Sequence, residues 1–327
     1  MCVIKVLLMK IKRSSNVQLS RILGNSQNFS SLVFVPKCEP ANDNDLSRLE
    51  DYLKNTGNIC VLTGAGISTE SGIPDYRSQG VGLYATSITR PTLYQDFCKS
   101  EQVRRRYWAR NYIGWPRFSS VQPNVTHRTL KYLEDIGLVT GIVTQNVDGL
   151  HTKAGSKNII ELHGTGFKVM CLNCDNKIDR KLLQIKLDKL NSSIKHVSKI
   201  IRPDGDVELS NEIVNDFILP PCENCGGILK PDIVFFGDNV AKKVVDSVRN
   251  IVTKSDGLLV LGTSLTTFSG YRIILQAIEE NKKVAIVNIG ETRADKHASV
   301  KLESRCGEVL KKLYPNIQFD NNSNQHF

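Results

Sequence analysis

The chain has 327 residues and nine cysteines, with 40% hydrophobic and 23% charged residues and a formal charge of +10. That length sets no limit on a hydrophobic core, and the composition is ordinary for a globular protein. No apolar run approaches the ~20 residues that span a bilayer. The positive excess suggests nucleic acid at first sight, but six of the ten charges lie among residues 1–38, which contain no acidic residue.

That leader is basic, carries six serines and lacks acids, the composition of a mitochondrial transit peptide. A secretory signal fits it worse, because the apolar stretch Val6 to Met9 is closed by Lys10. The alternative is an unstructured cytosolic tail. We place the leader at residues 1–36.

Residues 44–55 carry Leu46, Leu49 and Leu53 at helical spacing and feed the apolar run 58–62, which reads as a buried parallel strand. Gly64 and Gly66 then allow a sharp turn that a ligand can approach, and amides opening a helix suit a pyrophosphate. Ile73-Pro74 starts an extended loop. Asp75, Tyr76 and Arg77 follow as a carboxylate, an aromatic face and a guanidinium.

Residues 79–120 read as a loop followed by helices, and residues 127–136 as a helix. Strands are expected at 138–144, 159–162, 233–236, 257–262 and 283–288, with a helix over 271–280. Alternating strands and helices predict an α/β fold, a Rossmann-like parallel sheet covered on both faces. Residues 175–221 look like an insertion with a Lys/Leu-rich helix and a Pro203-Asp-Gly205 turn.

Cys171-Leu-Asn-Cys174 and Cys222-Glu-Asn-Cys225 are two Cys-X-X-Cys knuckles. They set four thiolates where one tetrahedral zinc can take all of them, and a site closed by four cysteines is structural. Disulfides are the poorer reading for a chain without a secretory signal. The intervening stretch is longer than in a simple zinc ribbon.

Segments rich in polar residues follow strand ends: Gln145, Asn146, Val147 and Asp148; His163; Thr263 and Ser264 after Gly262; and Asn288 with Ile289 and Gly290. Ligands of open parallel sheets bind beyond these carboxyl ends. Gln145 and Asn146 offer partners for ribose hydroxyls, and Asp148 for a carboxamide. His163 has the pKa range of a general base; taken alone it reads as well as a structural histidine, and His151 is a rival. The usual Gly-X-Gly-X-X-Gly is broken, with Thr69 in the third glycine's place.

Gly64-Ala-Gly-Ile-Ser68, Gly72-Ile-Pro-Asp-Tyr-Arg77, Thr144-Gln-Asn-Val-Asp148, His163-Gly164, the two knuckles, Gly262-Thr-Ser264 and Val287-Asn288 occur in the order seen in sirtuins. The resemblance covers about residues 40–315. Tyr107-Trp-Ala-Arg-Asn111, Gly114-Trp-Pro116 and Lys230-Pro-Asp-Ile-Val-Phe-Phe-Gly-Asp238 resemble the mitochondrial class II branch of that family.

The resemblance implies NAD+-dependent removal of acyl groups from lysine, with mono-ADP-ribosyl transfer as a related outcome, in the mitochondrial matrix. It implies a monomer acting on acyl-lysine proteins such as metabolic enzymes, without nucleic acid or membrane partners. Gly64, Ala65, Gly66, Asp75, Tyr76 and Arg77 would hold the pyrophosphate and shield the nicotinamide end. Gln145, Asn146, Val147 and Asp148 would hold the nicotinamide and its ribose. Gly262, Thr263, Ser264, Asn288, Ile289, Gly290 and Cys306 would surround the adenosine.

His163 would take the proton, with Asn146 and Asp148 in the same catalytic group. Val234, Phe235 and Gly237 would pair with the substrate backbone. Tyr107 and Arg110 resemble the Tyr-X-X-Arg pattern that holds acidic acyl groups, so Arg110 is the expected partner of an acidic tail, against the plainer reading of a solvated helix arginine. Long, acidic or lipoyl-type acyl groups are expected over acetyl. The catalytic domain is expected over 40–320, with a large lobe at 40–163 and 230–320, a zinc lobe at 164–229 and a disordered tail at 321–327. Thr165-Gly166 and the long insertion depart from the family pattern. An NAD-sensing binding protein and a zinc-ribbon nucleic-acid module are the competing classes.

Overall fold

In the computed structural model the described residues are 32–88, 90–194 and 202–317. The expected leader up to residue 31, the tail at 321–327 and residues 195–201 of the insertion lie outside them. Helices of eight residues or more are numbered below.

The centre is a six-stranded, all-parallel sheet in the order β3-β2-β1-β7-β8-β9. Its strands are Ile59–Thr63 (β1), Val139–Thr144 (β2), Ile159–Glu161 (β3), Gly257–Leu261 (β7), Lys283–Val287 (β8) and Val300–Leu302 (β9). Alternate residues of one strand face opposite layers. Ile59 and Val61 join Leu259 and Val287 against helices Asp43–Asn55 (α1), Val125–Asp135 (α3) and Cys306–Leu313 (α7). Cys60 and Leu62 join Val260 and Ile286 against Lys242–Thr253 (α5) and Phe268–Glu279 (α6). Both faces are covered, so β1 and β7 are buried at every position. Each such Leu, Ile or Val adds about 1.5–3 kcal/mol of burial free energy.

The chain builds outward from β1 to β3 and returns beside β1 as β7. The strand order therefore reverses between β1 and β7, where loops diverge and open a crevice.

A second, antiparallel sheet has the order β5-β4-β6, from Gly164–Cys171 (β4), Lys177–Asp179 (β5) and Leu229–Ile233 (β6). Helices Glu101–Ser120 (α2) and Arg180–Leu190 (α4) cover it, with Trp108, Leu183 and Leu187 in one core with Val169 and Leu229.

The strand expected over 233–236 is displaced: β6 ends where that run begins. Lys230-Pro231 reads as a break, yet β6 is an edge strand, where proline is tolerated. Residues 234–236 are held instead by isolated contacts, Val234 N–H to His163 O and a bridge between Leu93 and Phe236.

Candidate active site

The glycine turn packs on protein before it meets any ligand. Gly64 N–H donates to Leu261 O and Gly66 N–H to Gly262 O, at 3.1 and 2.9 Å. A Cβ on Gly66 would stand 2.8 Å from Gly262 O, and one on Gly64 would stand 2.5 Å from Thr263 Cβ. The glycines are thus required for the β1 and β7 loops to cross at the switch point, as well as for the sharp turn expected of them. Asn124, which caps α3, also donates to Ile67 O at 2.7 Å and fixes the turn from outside.

A cleft of about 1470 Å³ opens at this point, larger than the ~300–1,000 Å³ usual for one small ligand. Every site residue expected from the sequence except Arg110 and the four cysteines lines it. That includes Ala65, Val147, Ser264, Ile289, Gly290 and Cys306. Among the described residues nothing accepts from Ala65 N–H, so the turn keeps an amide for an anionic ligand.

Behind the turn runs a polar chain. Asn146 Nδ2 donates to Gly64 O and to Ser68 Oγ, at 3.0 and 3.1 Å. Ser68 Oγ–H donates to Asp148 Oδ2 at 2.6 Å, and Leu150 N–H holds Oδ1 at 3.0 Å. Burial pushes the Asp148 carboxyl above its ordinary range, while the Ser68 and Leu150 donors oppose that shift. Gln145 has both ends of its amide on protein: Nε2 donates to Thr263 Oγ1 at 3.0 Å, and Oε1 accepts from Thr267 Oγ1 at 3.1 Å. These bonds fix it in the cleft wall.

His163 follows β3, and its two nitrogens are distinguished by their partners. Nδ1 lies 3.0 Å from Gln145 O, which only accepts, so Nδ1 carries the proton of the neutral ring. Nε2 is then the basic nitrogen, and it lies 2.8 Å from Ser269 Oγ. Burial pulls the His163 pKa below its ordinary value, and the Gln145 carbonyl acts in the opposite sense. A neutral imidazole with a defined basic nitrogen in a cleft is equipped to take a proton. The rival His151 is buried away from the cleft lining, with Nε2 3.0 Å from Thr63 Oγ1.

The loop after the turn is organised by Asp75. Its Oδ1 accepts from Arg77 N–H and Ser78 N–H at 3.1 and 2.8 Å, and its Oδ2 from Ser78 Oγ–H. The Tyr76 ring meets Phe236 edge-on at 5.8 Å, and the Arg77 guanidinium lies over Tyr84 at 5.2 Å. Across the cleft Asn288 Nδ2 donates to Ile289 O and Gly290 O, closing the turn after β8. Cys306 is buried with its thiol 3.4 Å from Val287 O, and burial raises its pKa.

On the other wall Tyr107 lines the cleft, and its buried hydroxyl has no partner among the described residues. Arg110, one turn along α2, lies off the cleft. Its Nε donates to Val207 O at 2.6 Å and lies 3.2 Å from Asp206 Oδ1. The expected acid-binding arginine thus already holds a carboxylate from the insertion, while Pro203 and Asp204 of the same segment reach the cleft lining. The Phe235 ring packs on Phe97 and Tyr107, both with centroids at 5.1 Å, so its side chain belongs to the core. Val234 N–H is taken by His163 O, which leaves the N–H groups of Phe235 and Gly237 without acceptors among the described residues.

The four cysteines meet as their spacing requires, with all Sγ atoms within 4.8 Å of one another. The Cys171–Cys225 and Cys174–Cys222 separations are 3.5 and 3.8 Å. Tetrahedral zinc with ~2.3 Å Zn–S bonds sets its sulfurs about 3.8 Å apart. Each knuckle turns through a left-handed residue after its second cysteine, Asp175 at φ 53° and Gly226 at φ 71°. Asn173 N–H and Asn224 Nδ2 donate to Cys171 and Cys174 sulfurs, both at 3.4 Å. Thiol number, spacing and N–H···S support fit a structural zinc.

Sequence reasoning missed Ser68 as the link between Asn146 and Asp148, Ser269 beside His163, and Asp206 against Arg110. For Ser269 one signal was available: Thr267 is a residue type that opens helices, and it places Ser269 in the first turn.

The Sir2 family model matches residues 64–269. The chain is 54% identical to the NAD-dependent protein deacylase Sirt4 of Drosophila melanogaster over 86% of its own length and 90% of that protein. It is 50% identical, with the same coverage, to the mitochondrial NAD-dependent protein lipoamidase sirtuin-4 of Homo sapiens. A solved Sir2 complex with a p53 peptide and NAD+ superposes with TM-score 0.66 at 28% identity, covering 83% of this chain and 97% of that one. With its switch-point cleft, its basic histidine and its four-cysteine cluster, the chain belongs to the Sir2 family.

Proposed function

We propose that the protein removes acyl groups from protein lysine side chains with NAD+ as co-substrate, in the mitochondrial matrix, and that long neutral chains of the lipoyl type are preferred to acetyl. The observation that carries this reading is the His163 arrangement. Gln145 O fixes the tautomer, and the basic Nε2 shares one cleft with the glycine turn and the Asn146–Ser68–Asp148 chain.

NAD+ supplies an activated ribose whose C1′ is attacked by the acyl oxygen as nicotinamide leaves. The chain's residues do the rest. The Ala65 amide meets the pyrophosphate, and the Asn146–Ser68–Asp148 chain positions the nicotinamide end. His163 Nε2 takes the proton of a ribose hydroxyl, help worth about 10²–10⁴-fold. The loop organised by Asp75, with Tyr76 against Phe236, keeps water from C1′.

Relatives at about half identity are named as a deacylase and a mitochondrial lipoamidase, which supports both the chain length and the compartment. An acidic tail ranks lower in this reading, since Arg110 lies off the cleft lining and its Nε is held by Val207 O and Asp206.

The test is the full chain with NAD+ and acetyl-, lipoyl- and glutaryl-type lysine peptides, followed by mass for nicotinamide, O-acyl-ADP-ribose and ADP-ribosylated protein. O-acyl-ADP-ribose that requires His163 and is formed fastest from the lipoyl peptide is expected. Protein-bound ADP-ribose without acyl consumption would make ADP-ribosyl transfer the activity. Absence of nicotinamide release above a control without protein would leave an NAD-binding protein.

A further inference from the structure

Ser269 faces the proton-accepting nitrogen of His163, and its place is set from two neighbouring positions of one helix turn. Thr267, at the N-terminus of α6, directs its hydroxyl to Gln145 Oε1 at 3.1 Å instead of capping its own helix. A side chain at Gly270 would push the same Gln145 amide out of place: a Cβ there would stand 2.8 Å from its Oε1. Between them, Ser269 Oγ lies 2.8 Å from His163 Nε2. Gln145 is held to the other side of the ring through its carbonyl, 3.0 Å from Nδ1. One residue, Gln145, thus ties the first turn of α6 to the imidazole, and Ser269 is the group this tie brings to the base.

We infer that Ser269 is a positioning residue for His163, which holds the resting Nε2 lone pair by donation and then accepts from Nε2–H once the base has taken a proton. The inference rests on the deacylase reading above. A serine hydroxyl both donates and accepts, so the change requires only rotation about its C–O bond. In the resting enzyme Oγ–H points to Nε2. When a substrate hydroxyl approaches, its proton passes to Nε2 and the serine turns its lone pair to the new N–H. The serine gains and loses no proton, and the positive charge remains on the imidazolium between the Gln145 and Ser269 oxygens.

The bond to the charged ring is the stronger of the two serine bonds. Ser269 therefore favours protonation of a ring that burial makes a weak base. The charged side chains on the elements around His163 are Asp148 after β2, Glu161 on β3, Lys168 on β4, Lys230 and Asp232 on β6, Asp238 after residues 233–237, and Arg272 and Glu279 along α6. Among the described residues none forms an ion pair with it. The two oxygens are its polar support.

The experiment compares wild type, Ser269→Ala and Ser269→Thr in the full chain. Two catalytic rates are measured with one acyl-lysine peptide: exchange of labelled nicotinamide into NAD+, which precedes the proton transfer, and formation of O-acyl-ADP-ribose, which follows it. The ratio of product formation to exchange is expected to fall roughly three- to tenfold in Ser269→Ala and to recover in Ser269→Thr.

Titration of the His163 ring followed by NMR, assigned with His163→Ala, should show its pKa lower in Ser269→Ala by roughly half a unit to one unit. An unchanged ratio with an unchanged ring titration would overturn the inference. So would equal loss of both rates, which marks a merely structural serine. If wild type neither exchanges nicotinamide nor deacylates, the deacylase reading fails, whereas the ring titration still decides whether Ser269 supports the base.

Discussion

Arg110 Nε lies 3.2 Å from Asp206 Oδ1, and both side chains are less than a tenth exposed. Asp206 belongs to the insertion and Arg110 to α2, so this pair fastens the insertion beside the cleft. Burial pushes the Asp206 carboxyl upward, with Arg110 opposing and Asp204 adding to the shift. Removing one partner leaves the other only its longer ion pair, Arg202 at 3.7 Å from Asp206 or Glu208 at 3.7 Å from Arg110, a loss of about 1–3 kcal/mol. Arg110→Ala and Asp206→Ala should each cost this much in urea unfolding, and the double variant should cost less than their sum. Because Arg110 is already neutralised, Asp206→Asn should raise the kcat/KM for a glutaryl-type peptide relative to a lipoyl one. A fall in that ratio would contradict the pairing as the barrier to acidic tails.

Two histidines make the fold acid-sensitive. His127 and His151 lie with ring centroids 4.9 Å apart, fully enclosed, and His127 Nε2 and His151 Nδ1 have no partners among the described residues. Burial lowers both pKa values, that of His151 to about 4. The unfolded chain binds these protons first, near pH 6.5. Stability from the neutral rings is therefore complete above about pH 6.5 and is lost as pH falls towards 4. For His151 the full window corresponds to about 3 kcal/mol. Asp148 and Asp206, raised by burial, act in the opposite sense. The discriminating measurement is the slope of unfolding free energy between pH 7 and 5, which should be shallower in His151→Gln than in wild type.

One zinc ion per chain is expected by metal analysis. Chelation, or Cys222→Ser, removes a constraint joining the β4 end to the segment before β6. Apparent zinc binding energies in small zinc domains are of order 10 kcal/mol. Amide exchange should rise first across β4, β5 and β6 while β1 and β7 keep their protection. Uniform loss across both sheets would show instead that the metal supports the whole fold.

Ser68→Ala breaks the link between Asn146 and Asp148. Two buried polar groups lose a partner, for about 1–3 kcal/mol of stability. Nicotinamide release should slow more than tenfold, because both neighbours lose their fixed orientation. A variant destabilised by that amount but turning over normally would assign the chain a purely structural role.

How much was legible in the residues follows burial. β1, β2, β7 and β8 are covered on both faces and so read as short, mainly apolar runs in the sequence. β4 and β5 are partly exposed, and β6 contains Pro231, so neither pattern nor propensity declared them. α7, which begins at Cys306, was also silent; Glu70 Oε1 accepts Gly307 N–H at its start from 237 positions away in the chain.

The sequence by itself determined the parallel sheet, the zinc knuckles and the polar strand ends that line the cleft, because each is a local pattern with a local physical cause. Only the tertiary structure decided that Ser269 meets His163, that Ser68 joins Asn146 to Asp148, and that Asp206 occupies Arg110. Those pairs lie 106, 78 and 80, and 96 positions apart in the chain. A hydroxyl or carboxylate carries no mark of its partner until packing removes the water that would otherwise satisfy it.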